Sequence, residues 1–292
     1  MASLTALAPA KVNLFLHVGP VKANGRHELD SLVVFSDDRV GDYITAETAD
    51  TLSLAVSGPF AAASGPPDDN LVLRAAEALK AASGFVGGAR ITLKKWLPVA
   101  AGIGGGSSDA AIVLRLLTEL WQVDPDHAAR IAPALGGDVP VVLDGAPAMM
   151  RGEGERVTAV RMPFRLPALL VNPGKACPTG PVFAAYDAAG GGAGFREIDP
   201  VPDFPDAGDL VAWLGRQRNE LEPSAIQLVP EIAEVLRFLE AQPGARLSRM
   251  SGSGATCFAL FDAIAFAERA SVLLKSEKPD WWTAPCRLGA AP

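Results

Sequence analysis

Cysteine is scarce in this chain: Cys177, Cys257 and Cys286 are the three in 292 residues. They are odd in number and far apart, so no disulfide framework or CxxC pair can be drawn, and a reducing cytoplasm is the expected setting. Histidine is as rare. His17, His27 and His127 have no metal-ligand spacing, so no side-chain metal centre is expected. Basic charge is also short: 26 Lys and Arg against 33 Asp and Glu leave a net charge of −7. That balance argues against nucleic-acid or anionic-membrane partners, which want a basic field. It leaves room for a local basic pocket that takes a small anion. No apolar run reaches the roughly 18 residues of a membrane helix. The start of the chain lacks the basic-then-apolar pattern of a secretory signal.

What is present in quantity is hydrophobic residues, at 49%, and glycine, at 29 residues. The length suggests two domains rather than one. Residues 161–167, Arg-Met-Pro-Phe-Arg-Leu-Pro, read as their junction. The chain is organised around residues 97–111, where Gly102, Gly104, Gly105 and Gly106 are followed by Ser107, Ser108, Asp109 and an apolar helical run. Glycine frees the backbone for positive φ and for close approach to a ligand. Successive main-chain N–H groups make an anion-binding concavity, and the following helix adds its N-terminal donors and dipole. Ser107 or Ser108 suits the N-cap of that helix. The stretch reads as a phosphate cradle, although a plain tight turn uses the same residues. It is neither a P-loop, which needs a Lys, nor a dinucleotide fingerprint, which needs a third glycine.

Around the loop the hydrophobic pattern gives a mixed order of elements. Residues 10–18 alternate as a strand, with Val12, Leu14, Leu16 and Val18 on a core face and Lys11 and Asn13 on the other. Asn24-Gly25 signals a hairpin turn. Short strands follow at 32–35, 42–46 and 52–56, then a helix at 70–82, a strand at 90–95, and helices at 108–121 and 126–135. Asp138 lies in Gly137-Asp138-Val139-Pro140 ahead of an apolar strand at 141–143. It is either a turn residue or a carboxylate held at the mouth of a site. The second half reads β-α-α-β-β-α-β, a split-βαβ arrangement. Residues 188–206 are rich in Gly, Asp and Pro and read as mobile. Gly252-Ser253-Gly254, between two strands, reads on its own as a hairpin.

Several of these segments form a series. Ala10-Lys11-Val12-Asn13-Leu14, Gly25-x-His27-Glu28-Leu29, Pro98–Ser108 running into Asp109-Ala110-Ala111, Gly137-Asp138-Val139-Pro140, Pro178-Thr179 and Met250–Ala255 follow in that order. Together they resemble the small-molecule kinases that include galactokinase, homoserine kinase, mevalonate kinase and phosphomevalonate kinase. The resemblance spans residues 9 to about 255. It implies an α+β, two-domain fold: a ribosomal-S5-like N-terminal domain over residues 1–162 and a ferredoxin-like C-terminal domain over 163–292. It implies transfer of the ATP γ-phosphate, with Mg²⁺, to an alcohol. The motif series is most similar to the branch whose acceptor is the tertiary C2 hydroxyl of 4-diphosphocytidyl-2-C-methyl-D-erythritol, in the non-mevalonate route to isoprenoid precursors. A homoserine- or mevalonate-type acceptor is the alternative.

By that resemblance Asp138 takes or orients the hydroxyl proton, and Lys11 stabilises charge on the oxygens in flight. Pro98, Ala101, Gly102, Ile103, Gly104, Gly105, Gly106, Ser107 and Ser108 hold ATP, with Asn70 at its nucleoside and the Ser108 hydroxyl toward Mg²⁺. Asn13, Arg26, His27, Thr179 and Phe183 hold the acceptor. Arg26 departs from the family, which usually carries an aromatic residue there; a guanidinium plane also stacks on a base. The partner is thus a small molecule, with no nucleic acid and no membrane, and the protein a monomer or homodimer.

Overall fold

The computed structural model describes residues 2–192 and 194–292. The first half supplies β1 (Ser3–Pro9), β2 (Lys11–Val21), β3 (His27–Ser36), β4 (Gly41–Ala49), β5 (Ser53–Ser57), α1 (Leu71–Ser83), β6 (Gly88–Lys94), α2 (Gly105–Trp121), α3 (Pro125–Leu135), α4 (Val139–Asp144), β7 (Ala148–Gly152) and β8 (Arg156–Ala159). The second supplies β9 (Leu166–Asn172), α5 (Thr179–Ala188), α6 (Ala207–Leu214), α7 (Glu222–Leu228), α8 (Glu231–Glu240), β10 (Ala245–Met250), β11 (Cys257–Phe261), α9 (Ile264–Glu277) and β12 (Trp282–Gly289).

One sheet runs β1-β4-β6-β5, with β5 parallel to β6. The other runs β10-β11-β9-β12-β3-β7-β8, with β2 on the free edge of β3. All pairings of this second sheet are antiparallel. β3 is the joint. Leu29–Val33 pair with β7, and Phe35 and Ser36 pair with Gly289 and Leu288 of β12. The sheet therefore passes without a break from one half of the chain to the other.

α2 is the central helix of the first half. Ala110, Ala111, Val113, Leu114 and Leu117 are fully buried against β1, β4, α1, α3 and α4. Trp121 closes its far end, stacked on Phe85 with ring centroids 4.6 Å apart. α1 begins at Asn70, whose side chain accepts from the Val72 N–H at 3.0 Å. Asn70→Ala is expected to cost about 1 kcal/mol of stability, the usual loss for an N-cap, read as a lowered urea midpoint.

Two expectations are corrected, and one helix is new. β2 does not keep one face polar. A bulge between Asn13 and Phe15 shifts its register on β3, and bulges re-aim side chains. Phe15 and His17, which simple alternation puts beside Lys11 and Asn13, pack instead toward Trp213 and Phe195. Residues 141–143 are not a strand but belong to α4. Pro140 in its first turn favours helix, and Val139, Val141 and Val142 are all buried, so the apolar run reads like a strand. α7 was not expected at all. Its seven residues hold a Pro and bury only Ser224 and Ala225, too short a pattern for helical periodicity. In the segment 188–206, Ile198 donates its N–H to Asp30 and accepts from Arg151; Ala193 of that segment lies outside the described residues.

Candidate active site

Two glycine turns from opposite halves of the chain meet and shape a cleft of about 480 Å³. The first turn enters α2. Gly102 and Gly104 have φ of +73° and +62°. A Cβ on Gly102 would lie 2.3 Å from the Ser251 carbonyl oxygen, so the position admits only glycine. Gly104, not a serine, is the N-cap of α2. A left-handed residue here turns the chain so that Gly105, Gly106 and Ser107 form the first helical turn with their N–H groups free of intrahelical partners.

The second turn is Gly252-Ser253-Gly254. Its position is set by side chains without a spacing signal in the sequence. Asn219 donates to the carbonyls of Met250 and Gly252, both at 2.8 Å. Ser251 Oγ donates to the Gly102 carbonyl at 2.9 Å and accepts from the Asn13 N–H at 3.1 Å. Thr256 N–H donates to the Ala101 carbonyl at 3.1 Å. The stretch that alone reads as a hairpin is thus the back wall of the loop.

Lys11 and Asp138 face each other across this junction, Nζ to Oδ2, at 3.1 Å. Lys11 comes from β2 and is 6% exposed in its side chain; Asp138 is 30% exposed. Asp138 occupies the N-cap position of α4 yet makes no capping hydrogen bond, so its carboxylate is available to the cleft. Lys11 also donates to Asn13 Oδ1 at 2.8 Å, and Asn13 Nδ2 donates to Ser31 Oγ at 2.8 Å. This chain fixes the amide so that its oxygen faces the ammonium. A Cβ on Gly104 would touch Lys11 Cε at 3.1 Å and Asp138 Oδ2 at 3.5 Å. The pair therefore lies directly beneath the start of α2.

The cleft brings together Lys11, Asn13, Asn70, Pro98, Ala101, Gly102, Gly104, Gly105, Gly106, Ser107, Asp138, Thr179 and Phe183. Two expected members of the ATP loop are absent from its wall, as are Arg26 and His27 of the acceptor end. Ile103 is 1% exposed and belongs to the core with Val12 and Phe258; only its carbonyl takes part, accepting from the Lys11 N–H. Ser108 has no exposed surface, and its Oγ donates to the Pro9 carbonyl at 2.7 Å. It ties the loop to β1. Ser108 points inward because it shares a face of α2 with Ile112, one turn on, and that face is the core.

Arg26 and His27 line a second cavity of about 510 Å³ that shares Leu29 and Phe183 with the cleft. His27 is held by the Gly19 carbonyl at 2.8 Å and Asp187 at 3.5 Å, and its ring lies 4.9 Å from that of Phe183. The Arg26 side chain is 71% exposed and leans on Glu153 at 3.3 Å. Thr179 Oγ1 sits 3.0 Å from Ser253 Oγ, and both line the cleft.

Comparison with known proteins identifies this arrangement. The GHMP kinases N terminal domain matches residues 70–152, and the GHMP kinases C terminal domain matches residues 195–272. A 4-diphosphocytidyl-2-C-methyl-D-erythritol kinase of Hyphomonas neptunium is 65% identical over 99% of this chain and 98% of that protein. The chain belongs to the 4-diphosphocytidyl-2-C-methyl-D-erythritol kinases, a family of GHMP kinases. The kinase of that name from Cereibacter sphaeroides is 50% identical over 97% of this chain and 98% of its own length. A crystal structure of a 4-(cytidine 5'-diphospho)-2C-methyl-D-erythritol kinase superposes with a TM-score of 0.76 at 35% identity, covering 98% of this chain and all 100% of the other. Homoserine kinase from Cytophaga hutchinsonii, at 17% identity and a TM-score of 0.67, shares the fold. The α+β GHMP kinase architecture and an ATP-dependent kinase activity thus apply to this chain. No helix among the described residues is long and apolar enough to cross a membrane.

Proposed function

We propose that this kinase transfers the γ-phosphate of ATP to the 2-hydroxyl of 4-diphosphocytidyl-2-C-methyl-D-erythritol, a step of the non-mevalonate route to isoprenoid precursors. The observation that carries the reading is the Lys11–Asp138 pair, 3.1 Å apart beneath the first turn of α2. A phosphoryl group held by the α2 N–H donors meets there a carboxylate able to take a proton and an ammonium able to take up negative charge.

The roles follow from the chemistry. Phosphoryl transfer needs positioning and charge stabilisation more than covalent help. Gly104–Ser107 N–H groups and the α2 dipole hold the phosphates, and Asn70, Pro98 and Ala101 flank the nucleoside. Asp138 accepts the proton of the acceptor hydroxyl as its oxygen bonds to Pγ. The bond from Pγ to the β-phosphate oxygen breaks and ADP leaves with that electron pair. Lys11 faces the equatorial oxygens whose charge grows in the transition state. Asn13 orients Lys11 and faces the erythritol end. His27, Phe183, Thr179 and Arg26 form the cytidine end, with Arg26 free to lay its guanidinium on the base.

Among the described residues no three His, Cys, Asp or Glu side chains are grouped to hold a metal. Mg²⁺ would arrive with the nucleotide, keeping waters and phosphate oxygens and needing few carboxylates from the protein. When bound, Mg²⁺ neutralises phosphate charge. The same reading divides the labour between residues 1–162, carrying the phosphate loop, and 163–292, carrying the second turn. It sets the enzyme in the cytoplasm as a monomer or homodimer, its three cysteines free and buried.

The test is ADP release with Mg²⁺ and ATP in the presence of 4-diphosphocytidyl-2-C-methyl-D-erythritol, homoserine or mevalonate, each in turn. Turnover is expected with the cytidylyl acceptor alone. Turnover with either of the others would keep the Lys11–Asp138 chemistry and overturn the acceptor pocket.

A further inference from the structure

The second cavity holds a carboxylate to which the roles above give no part. Leu29 and Phe183 make an apolar wall there, and the polar side chains are Arg26, His27, Glu153 and Asp187. Three of the four are committed. Glu153 accepts from Asn24 Nδ2 at 2.8 Å and from Arg26 at 3.3 Å. Arg26 is thereby drawn onto Glu153, with its side chain 71% exposed. His27 Nδ1 faces the Gly19 carbonyl at 2.8 Å. A carbonyl only accepts, so Nδ1 carries a proton and the ring is fixed.

Asp187 is the uncommitted one. Its Oδ1 lies 3.5 Å from His27 Nε2, wider than a hydrogen bond's roughly 2.7–3.2 Å, so the carboxylate keeps its lone pairs free. The side chain is 36% exposed, which leaves those lone pairs within reach of a ligand. Its place on the helix is also unfavourable. Asp187 sits in the last turn of α5, which ends at Ala188 and has no basic residue in that turn. The carbonyls there make the negative end of the helix dipole, where a cation is favoured and a carboxylate is not. A ligand that brings a hydrogen-bond donor to this point offsets that cost.

The cavity shares Leu29 and Phe183 with the cleft, so one elongated ligand spans both. The rings of His27 and Phe183 lie 4.9 Å apart at 32° and offer faces to a flat base. The groups on the edge of that base are what remain for Asp187. A carboxylate accepts and does not donate. At the pyrimidine 4-position cytosine carries an amino donor, whereas a keto pyrimidine carries an acceptor oxygen.

We propose that Asp187 is a specificity-determining residue of this kinase: its carboxylate accepts a hydrogen bond from the exocyclic amino group of the acceptor's base and so rejects a base with a keto oxygen at that position. The inference rests on the reading that the cytidylyl end of the acceptor enters this cavity. Rejection has a physical source in the wrong partner as well as a gain from the right one. A keto oxygen would bring a second acceptor against the carboxylate, at the negative end of α5. Arg26, the donor that would welcome such an oxygen, is held by Glu153.

The experiment compares kcat/KM for 4-diphosphocytidyl-2-C-methyl-D-erythritol and for its uridylyl counterpart, identical except at the base. It uses the full chain as wild type, Asp187→Asn and Asp187→Ala, with saturating ATP and Mg²⁺. A hydrogen bond to a charged group corresponds to about 10 to 100-fold. Wild type is expected to favour the cytidylyl acceptor by about 100-fold or more, since the uridylyl compound loses the bond and adds a repulsion. The Asn amide offers a donor as well as an acceptor, so Asp187→Asn is expected to gain activity on the uridylyl acceptor and to give up about tenfold or more of the preference. Asp187→Ala is expected to lose about 10 to 100-fold on the cytidylyl acceptor, chiefly in KM, without a matching loss on the other. A residue that only orients His27 or supports α5 would move both acceptors together, so an unchanged preference in the two variants would overturn the proposal. Equal use of both acceptors by the wild type would overturn it too, while leaving the kinase reading in place. Turnover of neither acceptor would overturn the acceptor reading and this proposal with it.

Discussion

Asp138→Asn is expected to slow phosphoryl transfer by about 10² to 10⁴-fold, the range supplied by a positioned general base, with ATP affinity nearly unchanged. The amide keeps the size and the hydrogen-bonding shape of the carboxylate but cannot accept the hydroxyl proton. The loss belongs in kcat and in kcat/KM alike, since the interaction is made in the transition state. The surroundings make this a clean measurement. Asp138 caps nothing, and its partner Lys11 retains Asn13 as an acceptor at 2.8 Å. Asp138 is also about a third exposed in its side chain, so the lost ion pair is solvent-screened and costs at most about 1 kcal/mol of stability. Single-turnover transfer, ATP titration and thermal melting separate the three effects. Wild-type transfer rates in the Asn variant would remove Asp138 from the chemistry.

The sequence made these residues legible to different degrees, and the differences have physical causes. The phosphate loop announces itself because glycine density is a backbone requirement written in residue type. The N-cap was nevertheless misplaced onto Ser107 or Ser108. A left-handed Gly104 does the capping, and an αL glycine leaves no trace beyond being one glycine among four. Lys11 and Asn13 were legible as a pair two residues apart on a strand, but the bulge after Asn13 was not. It separates them from Phe15 and His17 and lets the rest of the strand be buried on both faces. Asp138 was found, but on the wrong element. Pro140 and three buried valines suit a strand edge as well as a first helical turn, and packing against α2 decides. Least legible were Asn219, Ser251 and Lys95. Each holds a backbone or charge distant in sequence: Ser251 reaches Asn13 and Gly102, and Lys95 reaches Asp42. No local period encodes such contacts. The Lys95 contact arises where β6 lies beside β4, and those of Asn219 and Ser251 only when β3 carries the sheet from one half to the other and brings the two glycine turns together.

That meeting of turns sets the second large expectation, a contrast between two glycines four residues apart. Gly102→Ala is expected to destabilise the protein by about 2 kcal/mol or more and to weaken ATP binding at least tenfold. The left-handed conformation alone costs an alanine about 1–2 kcal/mol, and overpacking adds to it. The new Cβ would lie 2.3 Å from the Ser251 carbonyl oxygen and 2.7 Å from the Gly254 nitrogen. Neither can retreat. The Gly102 carbonyl is held by Ser251 Oγ at 2.9 Å, and the Ala101 carbonyl by the Thr256 N–H at 3.1 Å. Relief comes only by parting the two turns, which moves the α2 entry away from Lys11 and Asp138. Gly106→Ala is the counterpart. A Cβ there meets nothing within 4 Å, and alanine in a helix is favoured over glycine by about 1 kcal/mol. Stability should hold or rise, while ATP affinity falls because the methyl group occupies the space the phosphates need. Urea denaturation and ATP titration of the two variants separate the roles: Gly102 loses both quantities and Gly106 only the second. A Gly106→Ala enzyme that binds ATP like the wild type would mean that the phosphates do not lie over the first turn of α2. The Lys11–Asp138 pair would then face a different part of the nucleotide.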